Sequence, residues 1–393
     1  MINTICADRM ARLGTETAFD VLAKAKALEA QGRSIVHLEV GEPDFDTPDF
    51  IKEAAVKALW DGFTHYGPAQ GLPILREAAA DYLTTSRGVA FDPAEIIVTP
   101  GAKPILFFGI LSLVNEGDEV IYPDPGFPIY ESMVKYVGGT AVPIALREEN
   151  QFRMDVAELR AKITGRTKMI ILNAPHNPTG SVLTREDLAG IAEAIEGRDI
   201  VVLCDEVYCQ ILYGGRHESL VSVAPHLKDR IILLDGFSKT YAMTGWRLGY
   251  AAAPPELIAH MTRLMVNSNS CTASFVQVAG AAALRGPQDS VREMVAEFER
   301  RRNLIVEGLN ALPGVTCQLP QGAFYVFPNV TGTGIDCRTL ADKMLYEGGV
   351  ALLAGTCFGA QGEGYLRLSY ANSEANIKEA LARMENTLSK YVS

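Results

Sequence analysis

At 393 residues, with 48% hydrophobic and 21% charged side chains, the chain is long enough for roughly two or three domains with ample core. Its net charge of -11 argues against nucleic acid or an anionic membrane as the main partner. The seven cysteines are scattered with no CxxC pair, and the six histidines are dispersed. No zinc spacing appears, and a reducing cytoplasm is expected.

The N-terminus, MINTICADRMARLG, has no apolar signal core, and no apolar run reaches the length of a membrane span. Residues 16–31 carry apolar side chains at helical spacing and are closed by Gly32. A short strand is predicted over 35–41, then the turn-rich EPDFDTP. Thr47 or Asp49 is expected to cap a helix running through Trp60. The loop HYGPAQG leads into another helix. From 96 onward strands and helices alternate: strands at 96–101, 119–124, 141–146, 168–175 and 200–208, then IILLDG and LGYAAA.

These strands are continuous apolar runs without polar alternation, as in sheets covered on both faces. The alternation predicts an α/β fold, a large domain with a mostly parallel, doubly wound sheet. After about residue 287 the texture changes. A long charged helix, the run VTCQLPQGAFYVFPNV, a helix near 338–348, the strands VALLAG and YLRLSYA and a final helix predict a smaller α+β domain. The expected division is 1–46 as an N-terminal segment of the small domain, 47–286 as the large domain and 287–393 as the small one.

In a doubly wound sheet, ligands bind beyond the carboxyl ends of the strands. Polar residues gather there. Gly101 and Ala102, in TPGAK, would expose backbone N–H groups at a helix start, a ready site for phosphate. Phe127, in PDPGFP, is placed to stack on a flat ligand. NAPHNPTG puts Asn173 and Asn177 into a proline-stiffened loop. Asp205 follows four apolar residues and a cysteine, so it should lie deep and require a cationic or hydrogen-bonding partner. Lys239 stands where IILLDG gives out, and burial there would make its amine a nucleophile. Arg247, eight residues on, offers a fixed charge suited to phosphate. Each residue alone also fits a structural role: an ordinary turn, a helix cap, or a solvated strand end. Together they match pyridoxal phosphate, which needs a lysine amine and an acid for its ring nitrogen.

The whole chain resembles the class I/II aminotransferases of the fold-type I pyridoxal-phosphate family. VGEPDFDTP, HYGPAQGLPILREA, VTPGAK, NAPHNPTG, DEVY, SKTYAMTGWRLGY and YLRLSYA occur in that order. The resemblance implies that Lys239 holds the cofactor covalently and then moves the substrate proton, with Asp205 on the ring nitrogen. It implies Asn177 and Tyr208 at the phenolic oxygen, and Phe127 against the ring. Gly101, Ala102, Ser238 and Arg247 are implied at the phosphate, with Lys103 beside them. Tyr66 resembles the tyrosine that reaches the partner subunit's phosphate, which implies a homodimer with shared sites. Arg367 resembles the arginine that grips the substrate α-carboxylate, with the backbone of Gly41 and the amide of Asn177 contributing.

The expected reaction is a ping-pong transfer of an amino group from an L-amino acid to a 2-oxo acid. Lys103 matches the lysine that some aspartate-using relatives set against a distal carboxylate, which favours an acidic donor. Phe19, Phe127 and Tyr130 would instead suit a hydrophobic side chain. His176 and Pro104 depart from the commoner family spelling. Two alternatives remain open at this point. One is a lyase or synthase using the same cofactor for elimination, replacement or cyclisation. The other is a ligand-sensing regulator, disfavoured by the acidic charge and by the absence of a basic helix-turn-helix.

Overall fold

The computed structural model describes residues 5–392; residues 1–4 and Ser393, at the outer ends of the expected N-terminal and C-terminal segments, lie outside the described residues. Helix α1 (Thr17–Glu29) precedes strand β1 (Val36–His37), which is shorter than its apolar run because only these two residues find a partner strand. Helices α2 (Asp49–Trp60) and α3 (Pro73–Arg87) follow. α2 has no side-chain cap. Neither expected cap serves: Asp49 is the first residue of the helix, and the Thr47 hydroxyl donates to the Ala242 carbonyl at 2.7 Å and accepts from Trp246 Nε1 at 2.9 Å. That pair of bonds ties the start of α2 to the loop after Lys239. α3 is better punctuated, with Pro73 in its first turn and Gly88 in the left-handed region (φ 69°) at its end.

The alternating part runs β2 (Ile96–Thr99), α4 (Lys103–Leu113), β3 (Glu119–Asp124), α5 (Ile129–Tyr136), β4 (Thr140–Ala145), α6 (Val156–Lys162), β5 (Thr167–Asn173), α7 (Arg185–Ile195) and β6 (Val201–Asp205). It continues with α8 (Leu220–Val223), β7 (Ile231–Gly236), the single turn α9 (Phe237–Thr240) and β8 (Gly249–Ala252). Two helices that the apolar runs do not announce, α10 (Pro255–Ser268) and α11 (Ser274–Arg285), complete it.

The strands form one seven-stranded sheet in the order β2-β8-β7-β6-β5-β3-β4. Every residue of β2, β3, β7 and β8 is buried, so the sheet is covered on both faces. All neighbouring pairs are parallel except those of β8, which runs against β2 and β7. The cause is local. Residues 237–248 contain only one turn of α-helix and a short 3-10 turn, too little for a crossover, so the chain reverses. The reversal matters for the site. The first residue of β8 sits on the rim where the parallel strands end, with Gly249 beside both Gly236 and Thr99. On the same rim Asn173 is beside Asp205.

The last third contains α12 (Asp289–Asn310), β9 (Tyr325–Val326), α13 (Cys337–Lys343), β10 (Val350–Ala351), β11 (Leu353–Ala354), β12 (Leu366–Ser369) and α14 (Glu374–Leu388). β11, β12 and β9 pair antiparallel, while β10 takes β1 as a parallel partner. Phe298, Ile305, Leu366, Tyr370, Ile377 and Met384 share a core here with Val36 and Leu38. Separate cores lie on the two faces of the large sheet. Among the described residues, no helix is long and apolar enough to cross a membrane.

Candidate active site

One cavity of about 490 Å³ opens over the rim of the large sheet. Gly41, Ala102, Lys103, Phe127, Asn177, Asp205, Tyr208, Ser238, Lys239, Arg247 and Arg367 all line it, so segments up to hundreds of residues apart converge on one space. Gly101 is not itself among the lining residues but stands next to Ala102 and against the Arg247 guanidinium. Its φ of 90° is in the region open to glycine, and a Cβ there would collide with the Arg247 guanidinium. Gly249 makes the same turn possible from the other side, since a Cβ on it would lie 2.7 Å from Gly101 C and Ala102 N. The result is a backbone turn at the start of α4 with a guanidinium laid over it, a combination suited to an anion. Arg247 is itself left-handed (φ 54°) and anchored through Nη1 to the Thr244 carbonyl at 2.9 Å.

Asp205 ends β6. Its Oδ2 accepts a 2.6 Å hydrogen bond from Tyr130 and its Oδ1 a 3.4 Å bond from the Val207 N–H. Burial outweighs those bonds and pushes its carboxyl up to about 6. Beside it, Asn173 is fully engaged: Nδ2 donates to the Asp205 carbonyl at 3.1 Å and Oδ1 accepts from Asn177 N at 3.0 Å. The Asn177 side chain is therefore carried to the cavity by its neighbour, and its own Oδ1 is buried without a partner. Tyr208 exchanges a 2.7 Å hydrogen bond with Tyr325.

Lys239 lies on α9, the turn directly after β7. Its Nζ donates to the Gly41 carbonyl at 2.5 Å and lies 5.7 Å from the centre of the Phe324 ring. Burial lowers its pKa to about 8; the carboxylates of Glu42 and Glu16 oppose that shift and the cations Arg367 and Arg247 add to it. Arg367 is held by Glu39, whose carbonyl accepts from Nη2 at 2.6 Å, and its guanidinium rests on the Tyr325 ring at 4.6 Å and the Phe358 ring at 5.1 Å. Its Nε is buried with no partner.

The other residues named from the sequence are placed as follows. Lys103 takes no part in the turn around Gly101: its ammonium pairs with Glu16 and lies 5.5 Å from the Phe127 ring and 5.9 Å from that of Phe19. Tyr130 lines the cavity and gives its hydroxyl to Asp205. Tyr66, expected at the partner subunit's phosphate, is 91% exposed and lies outside this chain's own cavity. His176 is buried outside it, bonded through Nδ1 to Thr179 Oγ1 at 2.8 Å, and burial pulls its pKa down to about 3. It is a neutral residue of the loop that carries Asn177. Pro104 falls in the first turn of α4, where a missing N–H costs nothing. Glu16, Glu42, Tyr325 and Phe358 line the cavity and were not singled out from the sequence.

The Aminotransferase class I and II family model matches residues 33–384. The chain belongs to the class I and II aminotransferases. It is 43% identical to the aspartate aminotransferase of Pyrococcus horikoshii over 357 residues, 90% of each chain. It is 41% identical to aromatic-amino-acid aminotransferase 2 of Thermococcus litoralis over 363 residues, 91% of this chain and 93% of that one. The aspartate aminotransferase structure from Rhizobium meliloti superposes with a TM-score of 0.94 at 36% identity, covering 99% of both chains.

This aminotransferase works with pyridoxal phosphate, and its residues fit that group. The glycine turn under Arg247 suits a phosphate, and the deep carboxyl of Asp205 suits a cationic ring nitrogen. Two buried polar atoms, Asn177 Oδ1 and Arg367 Nε, have bonding capacity that the protein does not use.

Proposed function

We propose that this aminotransferase takes its amino group from an acidic L-amino acid, aspartate or glutamate, and passes it to a 2-oxo acid in two half-reactions. The observation that carries the substrate class is a second cation on the cavity wall. Arg367 is suited to one carboxylate, and Lys103 lines the same cavity with a carboxylate already paired to it. The Pyrococcus relative's name supports the reading. An aromatic donor is the second reading, favoured by the rings of Phe19 and Phe127 beside Lys103 and by the Thermococcus relative's name. Kinetics of Lys103→Ala separate the two. The acidic reading predicts a KM for aspartate raised about tenfold or more, with little change for phenylalanine. An unchanged aspartate KM sinks it.

In this reading Gly101, Ala102, Ser238 and Arg247 hold the phosphate, Phe127 covers the ring, and Asp205 keeps the ring nitrogen protonated. Asn177 and Tyr208 bond the phenolic oxygen, and Lys239 joins the cofactor until substrate arrives. When bound, pyridoxal phosphate supplies the carbonyl that takes up the amino group and the conjugated ring that accepts the electron pair left at the substrate carbon. Arg367 grips the α-carboxylate through the Nε and Nη atoms not used by Glu39, which orients the Cα–H bond. The Gly41 backbone contributes to the same carboxylate. Lys239, released as a free amine, takes the Cα proton at Nζ, and its burial, which lowers the pKa, favours the neutral amine that this requires. Arg367, on β12 and braced on Tyr325 and Phe358, couples carboxylate binding to the last third of the chain, so closure over the substrate would exclude water.

We divide the chain accordingly into a large cofactor-binding domain (47–286) and a small domain formed by 287–393 with the N-terminal segment 1–46. β1 pairing with β10, and the core shared by Val36 and Leu38 with α12 and α14, support this. A homodimer with shared sites is supported by Trp60 and Tyr66, which are 86% and 91% exposed on neighbouring stretches of chain. The seven cysteines, all free thiols, support a cytoplasmic location.

A further inference from the structure

Lys103 opens α4 at the cavity wall, and its one ion partner among the described residues is Glu16. Glu16 is held there by the chain around it. Just before it, the Gly14 N–H donates to Ser132 Oγ on α5 at 2.8 Å. Just after it α1 begins, and although Glu16 stands at the N-cap position its side chain makes no capping bond. The carboxylate is therefore free to point into the cavity and meet Lys103. The other acids of the cavity are already engaged: Glu42 accepts from the Thr244 hydroxyl, and Asp205 from Tyr130. The pair is partly open to water, with side-chain exposures of 46% for Lys103 and 23% for Glu16. Two aromatic faces, Phe19 and Phe127, flank the ammonium.

We infer that Glu16 is a specificity-determining residue whose carboxylate occupies Lys103 in place of a substrate's distal carboxylate and gives way when an acidic donor enters. The inference rests on the acidic reading above. A dicarboxylic substrate must break the Glu16–Lys103 pair and then sit near the displaced carboxylate, so Glu16 opposes its binding. A donor with an aromatic side chain carries no charge to compete. It leaves the pair closed, with Lys103 neutralised and the rings of Phe19 and Phe127 available as an apolar wall. One carboxylate thus lets the same pocket accept two kinds of side chain, at the expense of affinity for the charged kind.

The test is binding of maleate, a dicarboxylate, and of 3-phenylpropionate to the holoenzyme, followed by the visible absorption of the cofactor. Glu16→Gln retains size and makes no capping bond less, so the fold is expected to persist. The inference predicts that Glu16→Gln tightens maleate on the order of two- to fivefold, the range set by a half-exposed ion pair. It also predicts no tightening of 3-phenylpropionate, and loss of the maleate gain in a Lys103→Ala background. If Lys103→Ala weakens maleate while Glu16→Gln leaves it unchanged or weaker, the inference fails and the acidic reading stands. If Lys103→Ala leaves maleate binding unchanged, the acidic reading fails and the inference with it.

Discussion

Asp205 illustrates how a residue suited to catalysis is poorly suited to the protein without its cofactor. Its carboxyl is buried, with a tyrosine hydroxyl and one long N–H as partners, and its pKa rises from the ordinary 3.8 to about 6. A carboxyl with a raised folded-state pKa contributes stability that is complete below its ordinary value and is lost as pH rises through about 6. Asp205→Asn cannot ionise but can still accept from Tyr130. In the cofactor-free protein this variant's advantage in Tm over the wild type should be smaller near pH 5 than near pH 8, where the loss is complete, while transamination falls by orders of magnitude. Thermal melts at both pH values check this; a lower Tm for the variant at pH 8 would contradict it.

At the scale of elements, the site depends on how strand ends are pinned. Arg87 closes α3 with its side chain 2% exposed, its Nη2 2.8 Å from Glu206 Oε2 and 3.9 Å from Asp235 Oδ2. Against burial, His217 and Arg87 hold the Glu206 carboxyl down at about 2. Glu206 follows Asp205, and Asp235 lies four residues before Lys239. One buried cation therefore ties together the ends of β6 and β7. Arg87→Met removes the cation between the two acids, leaving Glu206 to His217 and Ser219 and Asp235 to Tyr250 and the Gly236 N–H, and should cost about 3 kcal/mol in urea unfolding. A loss below about 1 kcal/mol would mean that the pair is not what joins these strands. Gly249→Ala tests the turn at α4. Its Cβ would meet backbone at 2.7 Å, which cannot move aside as a side chain would. Affinity for pyridoxal phosphate should fall about tenfold or more, at a stability cost of about 1–3 kcal/mol, as measured by titration of the cofactor-free protein.

These elements also explain what could be read from the sequence. The rim residues Gly101, Asp205, Lys239 and Arg247 were legible because each follows or precedes an apolar run, and the run's end fixes its position. The direction of β8 was not, because GYAA is equally apolar whichever way it runs. Glu16, Glu39 and Tyr325 were not legible either. They act through partners far along the chain, as in the Arg367–Glu39 bond between residues 328 apart and the Tyr208–Tyr325 bond between residues 117 apart. No local pattern announces such contacts.

For the whole molecule, Arg367 on β12 and Lys239 on α9 line one cavity, so the proposed reaction would need the two proposed domains together. The exposed Trp60 and Tyr66 extend the argument to a second copy. Sedimentation equilibrium should give twice the 42.6 kDa chain mass, and a monomer at micromolar concentration would refute the shared-site reading. The reaction proposed is transfer of an amino group from an acidic donor. It is tested most directly by the visible spectrum of the holoenzyme during addition of aspartate and then of 2-oxoglutarate. Aspartate is expected to convert the cofactor's aldehyde-form absorption to that of its amine form, and 2-oxoglutarate to restore it. A spectrum unmoved by aspartate and glutamate but shifted by phenylalanine would contradict the donor class, and release of ammonia without the amine form would contradict transfer itself.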